Sequence, residues 1–203
     1  MIDQTAFSFP TSNLPIEITI KGKINSDEQA KTLSPTISMQ QTHSDHLQVV
    51  TEPRTQVLLD TDAALTTLAN VTLQVKTADC LPILIYHPLS IIGVVHAGRK
   101  GTEQKILQKI LKYMNQHFNI KNRLEIFFGP CICSACYQVD RVTDLHYDLI
   151  NENMKQVLSL FNSSQANIWL SHQCTCHQPE KYYSYRREGE GVQMNTCSIR
   201  LTD

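Results

Sequence analysis

The chain has 203 residues, of which 41% are hydrophobic and 18% are charged, and its formal net charge at pH 7 is -1. This length and apolar content suffice for one globular domain with a continuous core. A nearly neutral chain lacks the basic field that attracts nucleic acid or an anionic membrane surface, so we expect a small-molecule partner instead. We predict one domain over residues 1–203, with the least order over residues 1–15.

The N-terminal segment has neither the basic start nor the long apolar run of a secretory signal. The longest apolar stretch begins at Leu81 and ends at Tyr86, far short of the roughly 20 residues that a bilayer requires. We therefore expect a cytoplasmic protein. In that compartment the seven cysteines should stay reduced and serve metal binding, catalysis or packing.

Strands are predicted first in the N-terminal half. Alternation of apolar and polar residues over Ile16–Ile20 indicates a strand, and Ser26–Gln29 has the pattern of a capping box that starts a short helix. Apolar residues alternate again over Val71–Val75. Two apolar runs, Pro82–Tyr86 and Ile91–Val95, predict strands that are at least partly buried.

Helices and strands alternate in the C-terminal half. Apolar residues at helical spacing predict a helix that opens at Gly101-Thr102 and ends near Asn119. A second helix is predicted to have Thr143 as its N-cap and to run through Leu145 and on to Phe161. Further strands are predicted at Leu124–Phe128, Asn167–Leu170 and Thr196–Leu201. The whole pattern predicts an α+β fold with mixed sheets.

Three short segments place a metal-competent side chain where a strand gives way to a loop. They are Gln41-Thr42-His43-Ser44, Thr77-Ala78-Asp79-Cys80 and Val95-His96-Ala97-Gly98. Two imidazoles and one thiolate suit zinc, and three protein ligands leave the fourth tetrahedral position for water or substrate. The sequence therefore predicts one catalytic zinc ion on His43, Cys80 and His96, with copper less favoured. A second interpretation is a cysteine hydrolase in which His96 activates the Cys80 thiolate.

The segment from His96 to Gly101 reads H-A-G-R-K-G and carries a second signal. Gly98 and Gly101 let the backbone approach a ligand closely, and Arg99 and Lys100 stand at the start of a predicted helix, where an anion such as phosphate or a carboxylate is favoured. An ordinary tight turn with solvated cations explains the same residues. Local sequence leaves both interpretations open.

Cysteines also gather in two later segments. The two sets are Cys131, Cys133 and Cys136, which precede Tyr137, and Cys174, Cys176 and His177. They are candidate ligands of a second, structural zinc ion. The spacings C-x-C-x-x-C and C-x-C-H are not those of a standard zinc ribbon, so packing of reduced thiols is the favoured interpretation. Arg186, Arg187 and Glu188 could contact substrate, but a charged turn is usually solvated, so a solvated surface is the favoured interpretation.

Taken in chain order, these motifs resemble those of a known family, the YfiH/YlmD group of bacterial proteins. Its members are also described as laccase-domain or multicopper polyphenol oxidase-like proteins. The resemblance runs from about residue 36 to the end of the chain and is specific. It is carried by Gln41-Thr42-His43, Thr61-Asp62-Ala63-Ala64-Leu65-Thr66, Thr77-Ala78-Asp79-Cys80-Leu81-Pro82, Val95-His96-Ala97-Gly98-Arg99-Lys100-Gly101, Gly129-Pro130 to Cys136-Tyr137, and Tyr185-Arg186-Arg187-Glu188.

The resemblance implies a layered α/β/β/α fold and puts the family's zinc ligands on His43, Cys80 and His96. It implies a zinc-dependent purine nucleoside phosphorylase that acts on adenosine, inosine and methylthioadenosine, with adenosine deaminase activity as well. We expect Asp79 to join Cys80 and His96 in the catalytic group, where it orients water or moves protons. The residues expected to bind nucleoside and phosphate are Gln41, Gly98, Arg99, Lys100, Gly101 and Tyr137.

Three alternative functions stay open on the sequence. One is copper-dependent phenol oxidation, but the 8 histidines include no H-x-H pair of the kind that multicopper oxidases use. Another is an amide hydrolase that edits cell-wall precursors. The last is a non-enzymatic interaction domain stabilised by zinc, which would require a fourth protein ligand such as His46 or Cys136.

Overall fold

The computed structural model describes Phe9, residues 11–23 and residues 34–202. Up to residue 97 these residues form eight strands: β1 (Ile16–Lys21), β2 (Thr36–Met39), β3 (Leu47–Val50), β4 (Gln56–Leu58), β5 (Ala63–Thr66), β6 (Thr72–Thr77), β7 (Leu81–His87) and β8 (Ile91–Ala97). The later elements are α1 (Arg99–Glu103), α2 (Ile106–Phe118), β9 (Leu124–Phe128), β10 (Gln138–Asp140), β11 (Leu145–His146), α3 (Leu149–Leu158), β12 (Ala166–Leu170), α4 (Tyr185–Glu188) and β13 (Asn195–Leu201).

Two mixed sheets pack face to face. The five-stranded sheet has the order β1-β13-β6-β2-β4, and the six-stranded sheet has the order β12-β9-β7-β8-β5-β3. Strand β2 is parallel to both β4 and β6, while β13 is antiparallel to β1 and β6. In the six-stranded sheet the outer pairs β12–β9 and β3–β5 are parallel, and the inner pairs are antiparallel. The predicted α+β fold with mixed sheets is confirmed.

The six-stranded sheet is apolar on both faces. Along β7, Leu84 packs with residues of the five-stranded sheet such as Leu73 and Ile199, whereas Ile83 packs with helix residues such as Ile110. A strand that is buried on both faces reads as a continuous apolar run, which is why the sequence marks β7 and β8 clearly. In the described residues the layers are therefore sheet, sheet and helices. The capping-box helix predicted at Ser26–Gln29 lies outside the described residues.

The helix predicted from Gly101 to Asn119 is wrong at its start. The chain instead forms α1 and then α2, because Lys105 has a left-handed backbone conformation (φ 63°) that ends the first helix before the second begins. From Ile106 onward the prediction holds, since the apolar face of α2 is buried and Asn119 is its C-cap. A left-handed residue interrupts the i to i−4 hydrogen bonds of a continuous helix.

The N-cap predicted at Thr143 is also wrong. Helix α3 begins after Asp148, whose carboxylate accepts a hydrogen bond from the backbone N–H of Asn151 at 2.9 Å. Leu145 belongs instead to β11, which pairs with β10 in a small hairpin, and its side chain is exposed. None of the helices in the described ranges has the length and apolar character that a membrane crossing requires.

Candidate metal centre

Strand register brings the three predicted metal ligands together. Pro82 is paired with His96 in the antiparallel β7–β8 ladder, so Cys80, just ahead of β7, lies beside the end of β8. His43 lies on the loop between β2 and β3 and has a left-handed backbone conformation, with φ at 62°. Three segments that are distant in sequence therefore meet at one edge of the six-stranded sheet.

The side chains of these three residues form a compact group. Their candidate ligand atoms lie within 4.8 Å of one another. The Cys80 Sγ is 3.7 Å from the His43 Nε2, and the His43 and His96 rings meet edge to face with centroids 4.7 Å apart. His96 is buried, Cys80 is half-buried and His43 is exposed, so the group is open on one side. Two imidazoles and a thiolate at this spacing fit a tetrahedral zinc ion.

Asp62 organises the group from behind and is fully buried. Its Oδ1 lies 2.7 Å from the His96 Nδ1, and the carboxylate also accepts hydrogen bonds from three successive backbone N–H groups, those of Thr42, His43 and Ser44, at 3.0, 3.1 and 2.8 Å. A carboxylate cannot donate, so the His96 Nδ1 carries the proton and its Nε2 is free to bind a metal. This is the carboxylate–histidine arrangement that commonly supports metal ligands.

The pKa values of the group follow from these contacts. Burial alone would raise the pKa of Asp62, but hydrogen bonds from His96, Ser44 and Thr42 outweigh burial and hold it well below its usual range. Burial likewise raises the pKa of Cys80, yet His43 and His96 lower it to about 6. Burial lowers the pKa of His96, whereas Asp62 and Cys80 raise it to about 9. Without metal, Cys80 and His96 therefore form a thiolate–imidazolium pair near neutral pH.

Gly98 is required by the close approach of the ligands. A Cβ on Gly98 would lie 2.8 Å from the His43 Cδ2 and 3.0 Å from the Cys80 Sγ. A Cβ on Gly101 would lie 2.8 Å from the backbone oxygen of Ser44. Both glycines let the turn after β8 pack directly against the loop that carries His43. Their visible role is thus to make room for the metal ligands.

A cavity of about 710 Å³ lies in front of the three ligands. This volume is within the range of pockets that hold small molecules. It is lined by polar, aromatic and apolar side chains from several loops: Gln41, His43, Ala78, Asp79, Cys80, His96, Ile132, Tyr137, Arg141, Tyr185, Arg186, Val192 and Met194. The open side of the metal group therefore faces a space in which a substrate could lie.

Comparison with known proteins identifies the family. Residues 23–200 match the family model described as multi-copper polyphenol oxidoreductase laccase. The chain belongs to this family. The relationship to the YfiH/YlmD group that the sequence motifs indicated is thereby confirmed, as two solved structures of that group also show.

Several curated relatives of this laccase-like family carry enzyme names. The purine nucleoside phosphorylase Cj1217c of Campylobacter jejuni is 26% identical over 170 residues, which cover 78% of this chain and 74% of that protein. The purine nucleoside phosphorylase YlmD of Bacillus subtilis is 32% identical over 73% of this chain and 64% of its own length. The adenosine deaminase RL5, from an unknown prokaryotic organism, is 28% identical over 77% of this chain and 71% of that protein.

Solved structures of family members share the fold. YfiH from Bacillus licheniformis superimposes with a TM-score of 0.74 at 25% identity, covering 82% of this chain and 74% of that chain. YlmD from Geobacillus stearothermophilus superimposes with a TM-score of 0.76 at 24% identity, covering 84% of this chain and 74% of that chain. The paired sheets described above are therefore the architecture of this laccase-like family.

Gln41, expected to bind substrate, and Asp79, expected to take part in catalysis, both line the cavity but are also held by other hydrogen bonds. The Gln41 amide exchanges two hydrogen bonds with the backbone of Lys76, at 2.6 and 2.9 Å. The Asp79 carboxylate accepts from the Thr175 hydroxyl and from the Arg186 backbone N–H, both at 2.6 Å. Both Asp79 oxygens are engaged, so this residue holds the loop that carries Cys80. Its expected part in proton transfer remains a prediction.

Arg99 and Lys100, the first residues of α1, do not line the cavity. Lys100 is exposed, and Arg99 forms a 3.5 Å ion pair with Glu103. The cavity instead has two other arginines on its wall, Arg141 and Arg186. The prediction that Arg99 and Lys100 bind phosphate stays a prediction, and the geometry offers a competing pair.

The predicted solvated surface is correct for Arg186 and Glu188, which are exposed, but not for Arg187. Arg187 donates to the backbone carbonyls of Thr175, Cys176 and Tyr182 at 2.7 to 2.9 Å, so it holds the loop after β12 in place. Arg186 lines the cavity, where its guanidinium lies 5.6 Å from the centre of the Tyr137 ring. These roles depend on carbonyl groups that come together only in the folded chain, and the local sequence gives no sign of them.

Neither of the two candidate fourth ligands joins the metal group. The His46 ring bonds to Asp60, at 3.1 Å from its backbone oxygen and 3.0 Å from its carboxylate. The Cys136 thiol lies near His177 instead, with 3.1 Å between Sγ and Nε2. Over the described ranges, the group therefore consists of His43, Cys80 and His96.

Proposed function

We propose that this protein is a zinc-dependent purine nucleoside phosphorylase with adenosine deaminase activity, acting on adenosine, inosine or methylthioadenosine in the cytoplasm. The observation that carries the proposal is a three-ligand group, His43, Cys80 and His96, that opens onto a cavity large enough for a nucleoside. Three ligands are the mark of catalytic zinc sites, since structural sites use four. The relatives from Campylobacter and Bacillus are named purine nucleoside phosphorylases, and RL5 is named an adenosine deaminase, which supports both proposed activities.

The donor set favours zinc over a multicopper assembly. His43 and His96 are the histidines that share a group with Cys80. Elsewhere His87 bonds to the backbone of Asn122, and His117 stacks on Tyr113. Oxidation of phenols by several coppers needs clustered imidazoles, which this dispersal does not supply. Zinc on the three ligands would supply Lewis-acid activation of a substrate or water oxygen.

Tyr137 is suited to interact with the purine. It lines the cavity, and burial together with the nearby Cys80 charge raises the pKa of its phenol. The hydroxyl therefore stays protonated at neutral pH and offers a hydrogen bond to the purine as negative charge develops on the leaving base. Tyr185, also on the cavity wall, presents an aromatic surface for the base. We assign Tyr137 as the candidate hydrogen-bond donor to the leaving base.

Arg141 and Arg186 are the candidate partners of phosphate. Both line the cavity that contains the metal ligands. The position of Arg186 is fixed, because its backbone N–H donates to Asp79 and its guanidinium donates to the backbone oxygen of Gln138 at 2.8 Å. Guanidinium groups bind phosphate oxygens in pairs and offset their charge during attack on the ribose C1. Arg99 and Lys100 are the alternative pair that the sequence predicted.

The proposal is tested by turnover of adenosine with and without inorganic phosphate, while metal content is read on the same sample. Adenine and ribose 1-phosphate that form only with phosphate would support phosphorolysis. Inosine that forms without phosphate would show deamination. The Cys80→Ala variant should lose both activities together with the metal, and a variant that keeps full turnover would contradict the assignment.

An amide hydrolase of cell-wall precursors is the second candidate. It fits the same open metal group, because zinc-dependent amide hydrolysis also requires three ligands and a free position. Zinc-loaded protein that releases neither adenine nor inosine from adenosine would favour this candidate. A deletion strain that accumulates mis-incorporated precursors would then be the supporting result.

A further inference from the structure

A second group of metal-competent side chains lies on the loops that follow β9 and β12. These strands are parallel neighbours, so their C-terminal ends open at the same edge of the sheet. One loop brings Cys133, the N-cap of a single turn of 3₁₀ helix, and Cys136, the last residue of that turn. The other loop brings Cys174 and His177. The four candidate ligand atoms all lie within 4.8 Å of one another.

We propose that Cys133, Cys136, Cys174 and His177 bind a second zinc ion with a structural role. Three thiolates and one imidazole are a closed tetrahedral set, unlike the open set at Cys80. A zinc–sulfur bond of about 2.3 Å puts tetrahedral ligands about 3.8 Å apart. A histidine binds one zinc ion through a single ring nitrogen, and the Cys133 Sγ lies 3.8 Å from the His177 Nδ1, close to this separation. The 3.1 Å contact of the Cys136 Sγ is with the other ring nitrogen, Nε2.

The ligand spacing also fits zinc once two bystander cysteines are set aside. Cys133 and Cys136 are separated by two residues, as are Cys174 and His177. These are C-x-x-C and C-x-x-H pairs, which short zinc-binding turns use. The remaining cysteines of the two loops, Cys131 and Cys176, are outside the four-residue group. Packing of reduced thiols, the interpretation favoured by the sequence, does not require this pairing.

Hydrogen bonding around the sulfurs supports the same conclusion. The backbone N–H of Cys133 donates to the Cys174 Sγ at 3.3 Å. Backbone donors to a ligand sulfur stabilise the thiolate form and fix its direction. All seven cysteines are free thiols in this structure, so no disulfide competes for these three.

The second zinc would brace the wall of the cavity. The two loops are joined by hydrogen bonds of the Cys131 backbone, which donates to Gln173 at 3.2 Å and accepts from Thr175 at 3.0 Å. Ile132 donates to the Asp79 carbonyl at 2.9 Å, and the Thr175 hydroxyl donates to the Asp79 carboxylate. Asp79 precedes Cys80, and Tyr137 follows Cys136. A metal that joins the loops would therefore fix the positions of residues on both sides of the cavity.

The test is the zinc content of the intact protein and its variants, measured by mass spectrometry after loading and removal of free metal. The wild-type chain should hold two zinc ions. The variants Cys136→Ser and His177→Ala should each hold one ion, at His43, Cys80 and His96. His43→Ala should also hold one ion, at the second site. The matched control is Cys176→Ser, a half-buried cysteine on the same loop, which should keep two. One ion in the wild-type chain that both Cys136→Ser and His177→Ala keep, or two ions in both variants, would overturn the proposal.

A measurement on the wild-type chain covers the case in which the variants do not fold. Cobalt replaces zinc in tetrahedral sites and gives a sulfur-to-metal absorption band whose strength follows the number of thiolates. The second site offers three thiolates and the first offers one. At saturation with cobalt, the intensity of this band should therefore be about four times that of a site with one thiolate. A band from a single thiolate would overturn the proposal. Both readouts are independent of nucleoside turnover.

Discussion

Replacement of Asp62 by Asn tests whether the buried carboxylate sets the geometry of the metal group. Asp62 Oδ2 accepts from Ser44 and Thr42, while Oδ1 accepts from the His43 N–H at 3.1 Å and meets the His96 Nδ1 at 2.7 Å. An amide has only one acceptor oxygen. If that oxygen stays with Ser44 and Thr42, the NH₂ group faces the His43 N–H and the His96 Nδ1.

The expected cost follows from these contacts. Each lost hydrogen bond to a buried charged group is worth about 1.5–3 kcal/mol, so two lost bonds cost about 3–6 kcal/mol of folding free energy. His96 would also have to accept at Nδ1, which moves its proton to Nε2 and removes the lone pair that binds the metal. Loss of such a supporting partner weakens metal binding by about 10–100-fold.

The assay combines zinc affinity, from competition with a chelator of known affinity, and thermal unfolding of the metal-free protein. The matched control is Asp60→Asn, because Asp60 is an exposed carboxylate two residues away that accepts from the Thr42 hydroxyl at 2.7 Å. Its loss should change stability by about 1 kcal/mol or less. If Asp62→Asn binds zinc as tightly as Asp60→Asn and is equally stable, the role given to Asp62 is refuted.

Other predictions concern the ligands and the cavity wall. Gly98→Ala should weaken zinc binding by about 10-fold or more although no ligand is removed, because the added Cβ would collide with His43 and Cys80. An unchanged zinc affinity in a chelator competition would contradict this prediction. In metal-free protein, the rate at which iodoacetamide modifies Cys80 should rise with pH and reach half its maximum near pH 6. Buried Cys197, whose pKa is raised to about 12, should stay unmodified in peptide maps. Zinc should protect Cys80 from the reagent. Arg141→Ala should raise the KM for phosphate by about 10-fold, while Lys100→Ala should change that KM by no more than about twofold. A larger effect of Lys100→Ala than of Arg141→Ala would favour the start of α1 as the phosphate site.

Strands buried on both faces were the part of the fold that the sequence predicted best. β7 and β8 are continuous apolar runs because each packs against a sheet on one side and helices on the other. Strands β2 to β5 are only three or four residues long and were not predicted, since so short a segment carries too few alternations. The break at Lys105 was missed because Lys gives no sign of a left-handed backbone.

Within the candidate site, sequence reasoning selected the metal ligands but not what supports them. His43, Cys80 and His96 stood out by residue type, and the sheet register then brought them together. Asp62 was not chosen, although a ligating histidine needs an acceptor for its second nitrogen and an Asp directly before a buried strand is a suitable candidate. Its contacts with residues 42–44 depend on a loop whose path cannot be read from sequence.

The second cysteine group shows a different kind of difficulty. Cys131 and Cys176 obscured the C-x-x-C and C-x-x-H pairs, because they made both segments read as irregular clusters. The structure distinguishes Cys131 from the proposed ligands. Cys131 is buried in the core beneath the helices, whereas the four proposed ligands face one another. A search for pairs separated by two residues would have found the spacing, but only the parallel pairing of β9 and β12 brings the two pairs together.

The most direct test of the account is a zinc titration of metal-free protein, with phosphorolysis of adenosine measured at each step. The account predicts that activity is absent without metal, rises as zinc occupies the site at His43, Cys80 and His96, and remains absent in His43→Ala at any zinc level below general inhibition. Full phosphorolysis by metal-free protein, or by His43→Ala, would contradict it.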